Sequence, residues 1–485
     1  MKKSLYGTTA LIAASMLSGQ AMAVGTPMTS SNFNLTLGGF ATFKFEYQSQ
    51  NPAQNVTTLD ADGTKQDEPR AYNLEFDAEL YFQGANKLPN GTTMGFKFEL
   101  ETGGGELLKA AGKKADGTDV AAGCTSSGTS SGSTTCGSNT ADLIDDNYIY
   151  LDGRWGKLTM GGTRDVRNEV GIARTWTGLT AVQIDTDVVN VAGNSRITSS
   201  SFTSCIDLNS AVNKVIWELP AMGGLKLALN WSPDVSLENS TGATQKDDQA
   251  AAGEYWHVNA LWAGTIGGFA TRFSAGYLNQ SAEDNRTNSD ALALEFSPAT
   301  RWRMGADVKT GPITIGGYYT HWVQNGPSAS PEEVALRMGL GATYTVGVWS
   351  FGAGYETATQ DVASRIAGET FGDILGKDKG TRWDIGLTYS GLGGGKVVTA
   401  GYRVDDYMAV AGNLRTATDQ QSDNESTNKT IGVKLDWTVG PGFVQTFAFE
   451  NYRYTHHSGL NVEDATGTPV TKTNNALSLQ TALTF

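Results

Sequence analysis

The chain of 485 residues offers few side chains for covalent chemistry. Its histidines are His257, His321, His456 and His457. Lone histidines in strands and loops are more often structural than catalytic, and a nucleophile would need one of them as its base. Catalysis is not expected. His456-His457 stands beside a long polar stretch and offers imidazoles to a metal, but a histidine pair alone is a weak metal signal. Asp145-Asp146 and Asp185-x-Asp187 present carboxylates of the kind that calcium accepts. Most such pairs are simply solvated, so the expectation is no cofactor, with calcium the ion the acids suit best. Gly391 to Gly395 reads as a turn rather than a phosphate cradle.

The stronger signal is charge repeated at a spacing of two. Lys44 and Glu46 form one such set, Glu75, Asp77 and Glu79 a second, and Lys97, Glu99 and Glu101 a third. Side chains two apart share one face of a strand. The chemistry implied is electrostatic: a wall that attracts, repels or orders ions. Overall, 50 Asp+Glu against 36 Lys+Arg give a net charge of −14. That balance repels a phosphate backbone, so nucleic acid is not an expected partner.

The elements that must carry these charges are strands. From Phe33 to Gln48 the odd positions are Phe33, Leu35, Leu37, Gly39, Ala41, Phe43, Phe45 and Tyr47, while the even ones are almost wholly polar. Leu74, Phe76, Ala78, Leu80 and Phe82 repeat the pattern against Glu75, Asp77, Glu79 and Gln83, interrupted by Tyr81. After Pro89-Asn90-Gly91 it returns as Met94, Phe96, Phe98 and Leu100. Such alternation predicts hairpins with one apolar and one ionic face. Further hairpins are expected over Asp146–Thr163, Val212–Trp231, Glu254–Gln280, Thr300–Val323, Val334–Thr357, Thr381–Asp406 and Lys429–Tyr454, with a last strand from Asn475 to Phe485.

Between these hairpins lie long polar segments: 50–70, 103–142, 232–253, 360–380 and 411–428. Short turns thus alternate with long connections, as in a transmembrane barrel. An apolar face that meets lipid forces the sheet to close, because an open edge would leave backbone groups unpaired there. No run of eighteen apolar residues offers a membrane-spanning helix. Aromatics near strand ends, among them Tyr47, Trp231, Trp322 and Tyr452, fit interfacial girdles. The expected fold is an all-β transmembrane antiparallel barrel of 16 or 18 strands, with short periplasmic turns and long extracellular loops.

Residues 1–23 read as a signal peptide. Lys2 and Lys3 precede a mostly apolar stretch, and Ala21-Met22-Ala23 is a small-x-small cleavage site. Cleavage near Ala23 takes the net charge from −14 to −16 and leaves 24–485 as a single barrel domain. Export allows disulfides. Cys124 and Cys136 share one Gly/Ser/Thr-rich stretch and are expected to pair there; Cys205 is left over and can pair with either.

Four segments make the chain resemble Gram-negative outer-membrane general porins, most closely those of alphaproteobacterial type. They are 73–84 with 88–95, 146–162, 213–229, and the last strand ending in Phe485 with Leu477, Leu479 and Leu483 on its face. The resemblance spans essentially the whole mature chain. It implies a homotrimeric, water-filled channel in the outer membrane of a Gram-negative bacterium. Its partners would be outer-membrane lipid and lipopolysaccharide, small hydrophilic solutes, and the barrel-insertion machinery, which reads the C-terminal strand. It further implies that 163–209 folds inward as the constriction loop and brings Glu169, Asp185 and Asp187 into the pore. The inward basic candidates are Lys44, Arg70, Lys97 and Arg164 early, then Arg272, Arg301, Arg303, Arg337, Arg382, Arg403 and Lys434. Set against them are Glu46, Glu75, Asp77, Glu79, Glu99 and Glu101. That many carboxylates predict a weak preference for cations. Two alternatives stay open: a substrate-specific 18-stranded uptake channel with Phe40 and Tyr81 in a sugar track, or a closed barrel acting as a surface or structural protein.

Overall fold

The computed structural model describes residues 34–50, 72–102, 144–163, 213–233, 254–281, 299–324, 333–363, 374–409, 424–456 and 470–485. Eighteen strands run in chain order. The first nine are β1 (Asn34–Gln50), β2 (Tyr72–Lys87), β3 (Thr93–Thr102), β4 (Ile144–Gly153), β5 (Gly156–Gly162), β6 (Asn213–Glu218), β7 (Leu225–Ser232), β8 (Tyr255–Ile266) and β9 (Phe269–Gln280). The rest are β10 (Ala299–Thr310), β11 (Ile313–Gln324), β12 (Glu333–Val346), β13 (Trp349–Ala363), β14 (Ile374–Tyr389), β15 (Lys396–Ala409), β16 (Asn424–Gly440), β17 (Phe443–His456) and β18 (Val470–Thr484). Each pairs antiparallel with its chain neighbours, and β1 pairs with β18, Phe40 facing Thr484, so the sheet closes on itself. The count is therefore eighteen, not sixteen.

The connections alternate as the polar segments suggested. Two residues join β4 to β5, β8 to β9, β10 to β11, β12 to β13 and β16 to β17. The intervening connections are longer, up to the span between β5 and β6. At the β8–β9 turn, Gly267 and Gly268 both take positive φ, 58° and 87°. Such a turn matches the twist of a two-residue hairpin, and only glycine enters it without steric cost.

The barrel is inside-out relative to a soluble protein. Leu340 on its outer face is 67% exposed, while Glu46 on the inner face is 1% exposed. No large apolar core exists among the described residues; the buried clusters are pairs such as Ile216 with Ala228. The outward row Leu336, Met338, Leu340, Ala342, Tyr344 and Val346 spans ten residue steps. At ~3.3 Å per step and a tilt of about 40°, that row is roughly 25 Å tall, the height of a bilayer's apolar band. The tilt is visible in the pairing. The ladder that starts at Thr36, low on β1, runs through Gln83, Lys97, Tyr148, Gly161 and Lys214 on successive strands. Picked up again at Tyr255, it passes Gln280 and Ala299 and reaches Gln324, the last residue of β11.

Closure is finished by the terminal residue. Gly39 N–H donates to the Phe485 carbonyl at 2.9 Å, and Phe485 N–H donates back at 3.0 Å. A Cβ on Gly39 would stand 2.4 Å from the Glu79 carbonyl oxygen and 2.9 Å from Phe485 Cζ. Gly39→Val is expected to cost about 3 kcal/mol through overpacking at this seam. The check is the fraction of protein that keeps its fast-migrating folded band in unheated gel samples; an unchanged fraction would show that the seam tolerates a side chain.

The structure also corrects the loop boundaries. β13 continues to Ala363 and β14 begins at Ile374, so the connection is shorter than 360–380. β16 begins at Asn424, inside the expected segment 411–428. In both places the sequence loses its apolar/polar alternation.

Candidate functional site: the charged lumen wall

Strand alternation puts every second side chain into the lumen, and that row is densely ionic. On β1, Lys44 Nζ lies 3.2 Å from Glu46 Oε2. On β2, Tyr81 O–H donates to Glu79 Oε2 at 2.5 Å. On β3, Lys97 Nζ donates to Glu99 at 2.5 Å and to Asp146 of β4 at 2.6 Å, and it sits 5.1 Å from the Tyr81 ring centre. The β3–β4 ladder shifts register between Phe98 and Leu100, which adds a residue on the β4 side. Such a bulge re-aims a side chain, here Asp146 toward Lys97. This early wall also carries Asp77 and is rich in carboxylates.

The opposite wall carries the arginines. Arg272 forks onto Asp307, with Nε donating to Oδ1 at 3.0 Å. Arg301 stacks 4.3 Å from the Trp322 ring centre. Arg303 and Arg337 lie in register on either side of Thr320, so three guanidinium groups converge on β10–β12. Arg382 Nε donates to Asp405 Oδ1 at 2.6 Å, and its other end lies 3.7 Å from Glu356. Arg403 Nε lies 3.2 Å from Asp405 Oδ2. Tyr318 O–H donates to Glu356 at 3.2 Å across Gly339. A Cβ on Gly339 would come within 2.7 Å of the Tyr318 ring, so the glycine keeps that bridge open. On β16–β17, Lys434 pairs with Asp436 at 2.8 Å, and Tyr452 O–H donates to Glu450.

The candidates from the sequence distribute as follows. Lys44, Glu46, Asp77, Glu79, Lys97 and Glu99 stand on the early lumen wall. Arg272, Arg301, Arg303, Arg337, Arg382, Arg403 and Lys434 stand on the later one. Glu75 faces Lys44 and Glu101 faces Glu79 in register, but their side chains lie outside the described residues. Arg70, Arg164, Glu169, Asp185, Asp187, Cys124, Cys136, Cys205, His457 and the segments 1–23 and 164–209 also lie outside them, as do the Asp145 and His456 side chains.

Asp307, Glu356, Asp384, Asp405 and Glu450 were missed, although each lies an even number of positions from an inward residue already named on its own strand or repeats that strand's parity. Asp146, weighed for calcium, is instead bound by Lys97. Among the described residues no group of three metal-ligating side chains occurs. His257 is buried on the lumen side, 3.4 Å from Asn259, and His321 packs 5.2 Å from Trp302 on the outer face.

Residues 7–456 match the model of the Gram-negative porin family. The chain belongs to the Gram-negative porins. A porin of this build is a passive channel of the outer membrane, with its apolar girdle against lipid and its ionic row around water. No curated protein matches the chain closely. Among solved structures, this porin is similar to the anion-selective porin from Comamonas acidovorans, at 13% identity and TM-score 0.39 over 93% of this chain and 100% of that one. It is similar to OmpT of Vibrio cholerae at 11% identity and TM-score 0.43, over 93% and 99%. It is similar to OpdQ of Pseudomonas aeruginosa at 11% identity and TM-score 0.47, over 93% and 98%.

Proposed function

We propose that this porin passes small hydrophilic solutes and ions without chemical conversion and with a weak preference for cations. The observation that carries this is the asymmetry of the lumen wall. Among the described side chains of β1–β4, Glu46, Asp77, Glu79, Glu99 and Asp146 gather around Lys44 and Lys97, with Lys87 at the far end of β2. On β13–β15 the positive charge of Arg382 and Arg403 is met by Glu356, Asp384 and Asp405. Closely paired charges produce little net potential; the excess of carboxylates on the early wall, set across the lumen from Arg301, Arg303 and Arg337, is read as the term that sets its sign. A constriction loop over 163–209 bearing Glu169, Asp185 and Asp187 would strengthen that sign. The charged lumen row and the porin family support a channel rather than an enzyme.

A homotrimer, a Cys124–Cys136 disulfide, export with cleavage near Ala23 and insertion through the C-terminal strand complete the proposal. Contact with lipopolysaccharide in the outer leaflet belongs to it as well. These rest on the family and on the sequence signals. The test is single-channel conductance in a planar bilayer with a salt gradient. Large steps in triplets with a cation-favouring reversal potential are expected. Anion preference would keep the channel and sink the charge argument. Folded protein that gives no steps would favour a closed surface protein.

A substrate-specific channel is the second reading, and one observation favours it. Phe40 and Tyr81 both face the lumen with ring centres 6.3 Å apart, and Lys97 stands over Tyr81. That platform suits a sugar ring. It predicts saturable block of the ion current by a neutral oligosaccharide, lost in Tyr81→Ala; linear, unsaturable behaviour would leave the general porin.

A further inference from the structure

The outer face of a membrane barrel should be apolar at mid-height and uncharged or mixed at its rim. Among the described residues the outward rows of β13 and β14 carry a matched pair, Asp361 with Lys377, and those of β16 and β17 carry two cations side by side. Lys429 on β16 shares the outward row of Ile431 and Val433; Arg453 on β17 shares the outward row of Phe447 and Phe449. The two cations are direct partners in the β16–β17 ladder, and both are exposed. Like charges directly opposite each other repel. Neither makes an ion pair among the described residues.

The surroundings keep the patch positive. On β15, Val404 faces Lys429, and Asp406 one step further accepts a hydrogen bond from Thr427 at 2.8 Å. On β18, Thr473 faces Arg453, and Asn475 beside it accepts from Asn451 at 2.7 Å. Lys379 adds a third exposed cation on the outward row of β14, and Glu425 lies at the outer end of β16. All these groups lie toward the long-connection end of their strands. Just below them the outward side chains are Trp383, Ile431, Phe449 and Leu477, all well exposed.

We propose that Lys429 and Arg453 together hold a phosphate of an outer-leaflet lipid headgroup. The guanidinium fork of Arg453 suits two phosphate oxygens, and the Lys429 ammonium neutralises the third as a point charge. Thr427, Asn451 and Asn475 offer hydroxyl and amide partners to the sugar part of such a headgroup, and its acyl chains would lie along the apolar rows below. A shared anion removes the repulsion between the two cations, which no carboxylate among the described residues does by pairing with either. The inference rests on the outer-membrane placement and deepens the proposed lipopolysaccharide contact.

The test uses the full chain purified in a non-ionic detergent. Binding of bis-phosphorylated lipid A is measured for the natural chain and for Lys429→Gln/Arg453→Gln, beside the dephosphorylated lipid and inorganic phosphate. Expected are about tenfold weaker lipid A binding by the double variant, weak binding of the dephosphorylated lipid, and no competition by inorganic phosphate at equal concentration. Equal binding by both proteins, or by both lipids, would overturn the proposal. Full competition by inorganic phosphate would overturn its lipid source. Loss of the trimer with lipid binding unchanged would assign the pair to a contact with a second copy. Conductance is recorded in parallel; since both residues face away from the lumen, it is expected to be the same in both proteins. A natural chain that conducts nothing would sink the channel proposal without touching the lipid result.

Discussion

Replacing Arg382 by Met is expected to destabilise the folded barrel by about 3 kcal/mol. The guanidinium is 4% exposed and lies between two carboxylates that are themselves buried, Asp405 at 0% and Glu356 at 3%. Removing it leaves both without their main cation, since Arg403 reaches only Asp405. An uncompensated buried charge costs more than the ion pair ever contributed. The readout is the urea midpoint of barrel unfolding in phospholipid vesicles. Adding Glu356→Gln and Asp405→Asn to the Arg382 variant should restore much of the loss, because the orphaned charges are then gone. A midpoint that does not move would mean that lumen water already solvates this cluster and that the pair behaves as a surface one.

The second large effect is on selectivity. Neutralising Glu46, Asp77 and Glu79 together, as Gln, Asn and Gln, should invert the sign of the reversal potential from cation-favouring to anion-favouring. The early wall would then carry Lys44 and Lys97 against Glu99 and Asp146, close to balance, facing the three arginines of β10–β12. The opposite triple, Arg301→Gln, Arg303→Gln and Arg337→Gln, should deepen cation preference and leave single-channel conductance of the same order. Both must be measured at low ionic strength as well as high, because screening over about 10 Å at 0.1 M salt already blunts a wall potential. If the two triples shift the potential in the same direction, the field across the lumen is not set by these walls.

Much of the fold is legible in the sequence because a barrel writes its two faces into alternate residues. Leu35, Leu37 and Phe43 against Lys44 and Glu46 are enough to identify β1 and its inner face. The same parity places Arg301, Arg303, Arg337 and Arg403 on one wall. It fails where the strand's two faces no longer differ in residue type. At the outer ends of β13 and β16 the sequence runs Gln360-Asp-Val-Ala363 and Asn424-Glu-Ser-Thr-Asn428, with no apolar/polar alternation to mark a strand. Side-chain partners are illegible for another reason. They depend on which strands are neighbours and in what register, and no local pattern encodes that Arg382 meets Asp405 or that a bulge turns Asp146 to Lys97. Tyr81 looks like an interruption of a polar face; in place its hydroxyl serves Glu79 and its ring lies under Lys97, so the aromatic belongs to the ionic row.

The β1–β18 seam has a consequence for how the molecule comes into being. Seventeen of the ladders join strands adjacent in sequence and can zip as each hairpin appears. The eighteenth joins Phe40 to Thr484, nearly the whole chain apart. In polymer terms the equilibrium penalty is small: closing a loop some fifteen times longer than a hairpin adds only about 2 kcal/mol. The burden is one of order and time. Until β18 pairs with β1, the growing sheet has two raw edges, β1 and the strand last added, each a template for pairing with the wrong chain. A porin shortened by its last strand would thus be an adhesive sheet rather than a leaky channel. The pairing of β18 with β1 is the moment at which that hazard ends.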